Sequence, residues 1–227
     1  VEWLGEVPEH WLVSPLKYLI ASKRGAVKAG PFGSHLKNSD MEGGDVKVIS
    51  QKNVIANDLY IGEAMISEQK YRELEVFTIE QDDILVTTRG TIGRTCIFKE
   101  KFTAILHPCL IRLQVDTKKV IPELIALIIQ ESGYEMEQIL VKSNATTIEV
   151  IYSDNLINTL VVIPKNLSEQ SQILNYISEQ KAYFDKVLAK ANQMIKGLSE
   201  RRTALISAAV TGKIDVRNWQ HPNKKNN

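Results

Sequence analysis

The chain carries few of the groups that would let it do chemistry of its own. It has no G-x-x-x-x-G-K-[ST] phosphate loop, no G-x-G-x-x-G, no G-x-S-x-G elbow and no H-E-x-x-H, so common signatures of nucleotide-binding, hydrolytic and zinc enzymes are missing. Its 4 histidines are scattered: His10 and His35 in polar loops, His107 beside Pro108, and His221 near the end. His107 reads as a packed histidine rather than a base. Asp45-x-Lys47 has the spacing of the end of a nuclease carboxylate–lysine pattern, but no Pro-Asp precedes it and such pairs are common by chance. There are only 2 cysteines, Cys96 and Cys109, each inside an apolar run (TCIF and CLIRL), with no Cys/His cluster of zinc spacing. They read as reduced core thiols of a cytosolic protein, and neither metal nor cofactor is expected. No apolar run reaches the roughly 18 residues of a membrane span, and no signal-peptide pattern opens the chain, so a soluble intracellular protein is expected.

Charge is nearly balanced overall but unevenly placed. The net charge of +1 is the sum of +6 from Lys165 onward and −5 before it, which removes any whole-domain electrostatic argument for nucleic acid. Locally the sign does cluster. Lys17, Lys23, Arg24, Lys28, Lys37, Lys47 and Lys52 face only Asp40, Glu42 and Asp45, whereas Glu63 to Asp83 is mostly acidic. A one-sided basic edge suits a nucleic-acid surface, and it is equally what a solvated surface gives by chance.

At 227 residues and 44% hydrophobic, the chain is long enough for one globular domain plus a long helix. The helix is the strongest pattern present. Ile177, Phe184, Ala191, Leu198 and Leu205 repeat every seven residues; Ile173, Val187, Met194 and Ala208 form a second column, broken by Gln180 and Arg201. A helix from about Ser168 to Ala209, with Ser168 as N-cap, would be roughly 60 Å long, more than a domain needs for its own core. It is expected to pair with another long helix as a coiled coil, through Ile173, Ile177, Phe184, Val187, Leu188, Ala191, Met194, Ile195, Leu198 and Leu205. The competing reading is a long amphipathic helix lying on its own core.

Upstream, Val46–Ser50, Asp83–Thr88, Thr91–Lys99 and Ala104–Val115 read as strands of a much-bent antiparallel sheet, because β-branched residues dominate and Gly90 and Gly93 supply a turn. Pro122–Ser132 reads as a helix, followed by a short one to about Val141, and Leu160–Ile163 returns as a buried strand. The fold class is therefore α+β. Residues from Gln220 on read as a disordered tail.

Two glycine-bearing loops carry donors suited to DNA. Gly30-Pro31-Phe32-Gly33-Ser34-His35-Leu36-Lys37 presents hydroxyl, imidazole and ammonium, and Thr87-Thr88-Arg89-Gly90-Thr91-Ile92-Gly93-Arg94 presents two guanidiniums and three hydroxyls around a tight turn. Guanidinium forks match phosphate oxygens or the guanine edge. Plain hairpins with solvated arginines fit the same residues.

Several segments together resemble the specificity subunit of type I restriction-modification systems. They are Glu2-Trp3-Leu4-Gly5-Glu6-Val7-Pro8-Glu9-His10-Trp11, the Gly-Pro-Phe-Gly-Ser loop, Asp-Asp-Ile-Leu-Val-Thr-Thr-Arg-Gly, Ser168-Glu169-Gln170, Arg201-Arg202-Thr203-Ala204-Leu205-Ile206 and Val210-Thr211-Gly212-Lys213-Ile214-Asp215-Val216-Arg217. The resemblance implies a target-recognition domain over residues 1–164, a spacing helix over 165–212 that pairs antiparallel with a second such helix, and a tail over 213–227. It implies double-stranded DNA as ligand and methyltransferase and restriction subunits as the partners that hold the catalysis. This chain has one half of the family's usual two, so it is either a half-length subunit that homodimerises or the C-terminal half of a longer one; the closing GKIDVR reads as a true C-terminus. On this reading DNA contacts come from Ser34, His35 and Lys37, from a Gln51-Lys52-Asn53 turn, from Arg89, Thr91 and Arg94, and from a Ser143–Thr147 loop through Ser143, Asn144, Thr146 and Thr147. The rival classes are a DNA nuclease or methyltransferase in its own right, and a coiled-coil adaptor that binds no DNA.

Overall fold

The architecture comes from a computed structural model, which describes residues 6–133, 137–138 and 150–220. Their elements are β1 (Trp11–Pro15), β2 (Val27–Ala29), β3 (Val46–Ile49), α1 (Gln51–Ala56), β4 (Met65–Ile66), α2 (Glu68–Leu74), β5 (Ile84–Thr87), β6 (Thr95–Ile97), β7 (Ala104–Leu106), β8 (Leu110–Leu113), α3 (Pro122–Glu131), α4 (Ser153–Ile157), β9 (Leu160–Pro164) and α5 (Leu167–Val210). The chain divides into two compact units, Val1–Leu174 and Asn175–Asn227. The expected second short helix to Val141 and the tail from His221 lie largely or wholly outside the described residues.

Among the described residues the strands form three sheets rather than one. The central sheet is antiparallel in the order β2-β8-β5-β6, a second has the order β4-β3-β7, and β1 pairs with β9. The β3–β7 pair is parallel, against the antiparallel expectation. The reason lies in Ala104–Val115, which the sequence presents as one long strand. It turns at His107-Pro108: His107 N–H donates to Ile49 O and Leu110 N–H donates back to His107 O, while Pro108 has no N–H for a ladder. One apolar run thus serves two sheets. Thr91–Lys99 likewise shortens to β6, because Gly93, at φ 72°, belongs to the preceding turn.

Both faces of the central sheet are covered, which accounts for the unbroken apolar runs of β5 and β8. Ile84, Val86, Ile111 and Leu113 pack against Leu124, Ile125 and Ile129 of α3 and against Val161 and Ile163 of β9. Leu85, Cys96 and Leu110 face the other way, onto Ile49, Val54 and Phe98. Burial pushes the Cys96 thiol up to about 11, so it stays protonated at neutral pH.

The start of the long helix is fastened to this domain. Its N-cap is Asn166, not Ser168: Asn166 Oδ1 accepts the Ser168 N–H at 2.8 Å. Glu169 accepts from the Trp11 indole at 3.0 Å and lies 3.1 Å from His10 Nε2, contacts that hold its carboxyl below the usual range. Gln170 is fully buried, its amide donating to Lys119 O and Pro164 O and accepting the Ile121 N–H. Ile173, expected in the partner seam, instead packs with Leu174 against the main core. Ile177 is half-buried; Phe184, Val187, Leu188, Ala191, Met194, Ile195, Leu198 and Leu205 are exposed in the single chain.

A buried ion pair at the foot of the central sheet gives a pH-dependent prediction. Asp83 lies 3.6 Å from Arg112, whose guanidinium also donates to the carbonyls of Thr78 and Gly25. Desolvation outweighs this partner and the Glu80 N–H, raising Asp83 to about 6. A folded pKa above the unfolded one means that folding favours the protonated acid, so the contribution of Asp83 is greatest below about pH 4 and is lost as the pH rises past 6. Urea unfolding of the wild type and Asp83→Asn across this range should show the difference moving against the wild type by about 2–3 kcal/mol. A pH-independent difference would mean that Asp83 titrates alike in both states.

Candidate nucleic-acid interface

The expected binding segments are short and gain meaning only from what holds them. The loop after β2 rests on the β7–β8 turn: Gly30 N–H donates to Leu110 O at 2.8 Å, and a Cβ at Gly30 would overlap the His107 carbonyl and Pro108 backbone. Only glycine permits that approach. Pro31 and Leu36 are buried and anchor the loop, leaving Phe32, Ser34, His35 and Lys37 exposed. The rings of Phe32 and His35 meet edge to face at 6.2 Å.

The turn between β5 and β6 is built by Thr87, which is fully buried. Its hydroxyl donates to Thr91 O at 2.6 Å and accepts the Arg94 N–H at 2.9 Å, while Gly90 and Gly93 take positive φ values of 68° and 72°. Closing the turn from inside leaves Arg89, Thr91 and Arg94 exposed. Of the three hydroxyls counted as donors in this loop, Thr87 is structural. The next residue, Thr88, also buried, accepts the Ile151 N–H at 2.9 Å, and Arg89 bridges Val150, so the strand end reaches the segment before α4.

Gln51 and Lys52 open α1 rather than form a turn, with Ser50 as cap. Gln51 Nε2 lies 3.4 Å from Thr91 O, joining the helix start to the arginine hairpin. Asn53 does not belong with them. It is 2% exposed; its Oδ1 accepts from the Ser50 N–H and hydroxyl, and its Nδ2 donates to Asp58 O and Ile61 O. No polar atom of Asn53 remains for a ligand. Ser143, Asn144, Thr146 and Thr147 lie outside the described residues.

Three of the four segments thus share one side of the domain, linked by the Gln51–Thr91 contact and by a cleft lined by Gly30–Gly33, Arg89 and Tyr152. Ser34, His35 and Lys37 sit on the continuation of the same loop, and the structure joins none of them to the arginine hairpin directly. Two aromatic residues absent from the expected set, Phe32 and Tyr152, line that cleft while 78% and 60% exposed. Phe32 stood inside a recognisable motif and its exposure was the missing information. Tyr152 carries no sequence signal.

Two side chains that a catalytic reading would use are engaged elsewhere. Lys47 Nζ donates to the carbonyls of Tyr60, Ile61 and Gly62, and His107, whose pKa burial lowers, accepts the Cys109 N–H at 3.3 Å. Among the described residues no three His, Cys, Asp or Glu side chains are grouped to hold a metal ion, and no helix is long and apolar enough to cross a membrane.

Exposed polar and cationic loops at the end of an antiparallel sheet are thus joined in one chain to a helix of 44 residues. The family model for the type I restriction modification DNA specificity domain matches residues 28–196, and the chain belongs to that family. It is 22% identical over 219 residues to the type I restriction enzyme EcoBI specificity subunit of Escherichia coli, covering 96% of this chain and 44% of that subunit. The fold is similar to a chain from a structural study of complex assembly and conformational transition in the type I restriction-modification system, with TM-score 0.62 and 16% identity over 90% of this chain and 47% of the other. It is also similar to the HsdS subunit from Thermoanaerobacter tengcongensis, with TM-score 0.54 and 16% identity over 79% of this chain and 39% of that one. The chain therefore spans less than half the length of these relatives.

Proposed function

We propose that this chain reads a DNA sequence for a type I restriction-modification complex and has no catalytic activity itself. Residues 1–164 form the target-recognition domain, 165–212 the spacing helix and 213–227 a tail. Methyltransferase and restriction subunits, its partners in the cytoplasm, are brought by it to a split target site. The helix pairs with a second copy or with another recognition half. The observation that carries the reading is the convergence of the Gly30–Gly33 segment, Gln51 and the Arg89–Arg94 hairpin on one side of a well-packed sheet. Separated segments that meet on a rigid support are what a base-reading surface needs, with some groups positioning on phosphate and others reading base edges.

Selection of bound sequences from a randomised duplex pool, using the chain with its methyltransferase partner, tests this directly. Arg89→Ala or Arg94→Ala should then weaken binding to the selected site by about 1–3 kcal/mol and relax preference at one position if the guanidinium reads a base. A loss uniform over all sequences, with a shallower salt dependence, identifies a phosphate contact instead. Both side chains are exposed, so folding is untouched by either change. Intact specificity in both variants removes the hairpin from the site, and a pool that returns no sequence preference overturns the reading.

A further inference from the structure

We propose that the cleft between Phe32 and Tyr152 takes one nucleobase of the bound DNA out of its stack, an inference that rests on the DNA-reading function above. The cleft measures about 410 Å³, and its lining includes Pro31, Pro108 and Ile151 beside the two aromatic rings and Arg89. Pro31 and Ile151 are buried, so the floor is apolar and fixed, whereas Phe32 and Tyr152 are 78% and 60% exposed. An aromatic ring so exposed at the tip of an anchored loop contributes nothing to the core beneath it. Gly30, locked under the β7–β8 turn, and the Phe32 carbonyl, which accepts the His35 and Leu36 N–H groups, fix the backbone that presents the ring, and the ring itself meets His35 edge to face.

Size selects the occupant. A thymine methyl group, about the volume of one water at roughly 30 Å³, would leave most of the cleft empty. A planar base has the bulk to occupy the space, with the Phe32 and Tyr152 rings in the lining to stack on and Arg89 in the lining to meet its edge or its phosphate. Stacking a base on protein aromatics offsets the unstacking that extrusion requires and is worth roughly five- to 150-fold in affinity per base. The cleft is continuous with the polar face formed by Arg89 and its hairpin, so an extruded base would come from the DNA those residues contact.

The test uses this chain alone on its selected duplex, so that no partner enzyme can flip a base. Unstacking is read by 2-aminopurine fluorescence at each purine, pyrrolocytosine fluorescence at each cytosine and permanganate oxidation at each thymine. One position should become unstacked with the wild type and with Tyr152→Phe. Phe32→Ala and Tyr152→Ala should lose that signal and bind the site roughly five- to 150-fold more weakly. Specific binding with no unstacked position, or with one that persists in both alanine variants, overturns the inference while leaving DNA reading intact. Loss of affinity on replacing a thymine by uracil, abolished in Phe32→Ala and without unstacking, would show a methyl contact and also overturn it. If the pool selection with the methyltransferase partner returns no preferred sequence, the DNA-reading function is overturned instead, and this inference with it.

Discussion

Leu198→Asp should abolish assembly of this chain while leaving its recognition domain folded. Leu198 stands in the middle of the heptad column that runs from Ile177 to Leu205 and is 63% exposed in the single chain, so an aspartate there meets water until a partner covers it. In a paired helix the same carboxylate is buried without a counter-ion, which costs several kcal/mol and shifts an association constant by more than about a hundredfold. Light scattering or sedimentation should report the variant as a monomer, or pull-down should show it detached from its other half. The circular dichroism and melting of residues before Leu174 should match the wild type, because Gln170, Ile173 and Leu174, which tie the helix to that core, are unchanged. An assembly state identical to the wild type would show that the stripe makes no intermolecular seam. Phe184 and Leu188 belong to the same exposed stripe and offer independent repeats of the test.

What the sequence made legible follows from which interactions are local. The long helix was readable almost to the residue, because a seven-residue repeat sustained from Ile177 to Leu205 needs no knowledge of the rest of the fold. Its first turn was less so: Ser168 looked like a cap, yet Asn166 is the cap, since backbone geometry decides which of two nearby polar residues precedes the first helical one. β5, α3 and β9 were legible because burial on both faces, or a proline at the first helical position, writes itself into composition. The division of Ala104–Val115 between two sheets was not, because it depends on the partners that Ile49 and Leu85 bring from far along the chain. In the candidate site, glycine turn chemistry points to a tight turn at Arg89–Arg94, and the structure leaves both arginines exposed on it, whereas Asn53 does not belong there: nothing in Gln51-Lys52-Asn53 reveals that Ser50, Asp58 and Ile61 engage its amide. Tyr152 is brought to the cleft by the Thr88–Ile151 and Arg89–Val150 pairings, which are long-range contacts.

Lengthening the helix by one heptad should change the spacing of the recognised site without changing the bases read. Under the proposed function two such helices lie antiparallel with a recognition domain at each end, and two-fold symmetry in a homodimer makes the half-sites an inverted repeat. A copy of Leu188–Met194 placed after Met194 keeps every apolar column in register and adds about 10 Å of helix. At roughly 3.4 Å per base pair that corresponds to about three more base pairs between the half-sites. The twist of the DNA over the added length is not matched by the protein, so affinity should fall and the preferred gap can settle one base pair either side. The recognition loops are unaltered, since Gly30–Lys37, Gln51 and Arg89–Arg94 all precede Leu174. Selection from a randomised pool with the lengthened protein reads both quantities at once. Return of the original gap would show that helix length does not set the spacing, and new half-site bases at a fixed gap would show that the helix itself takes part in reading.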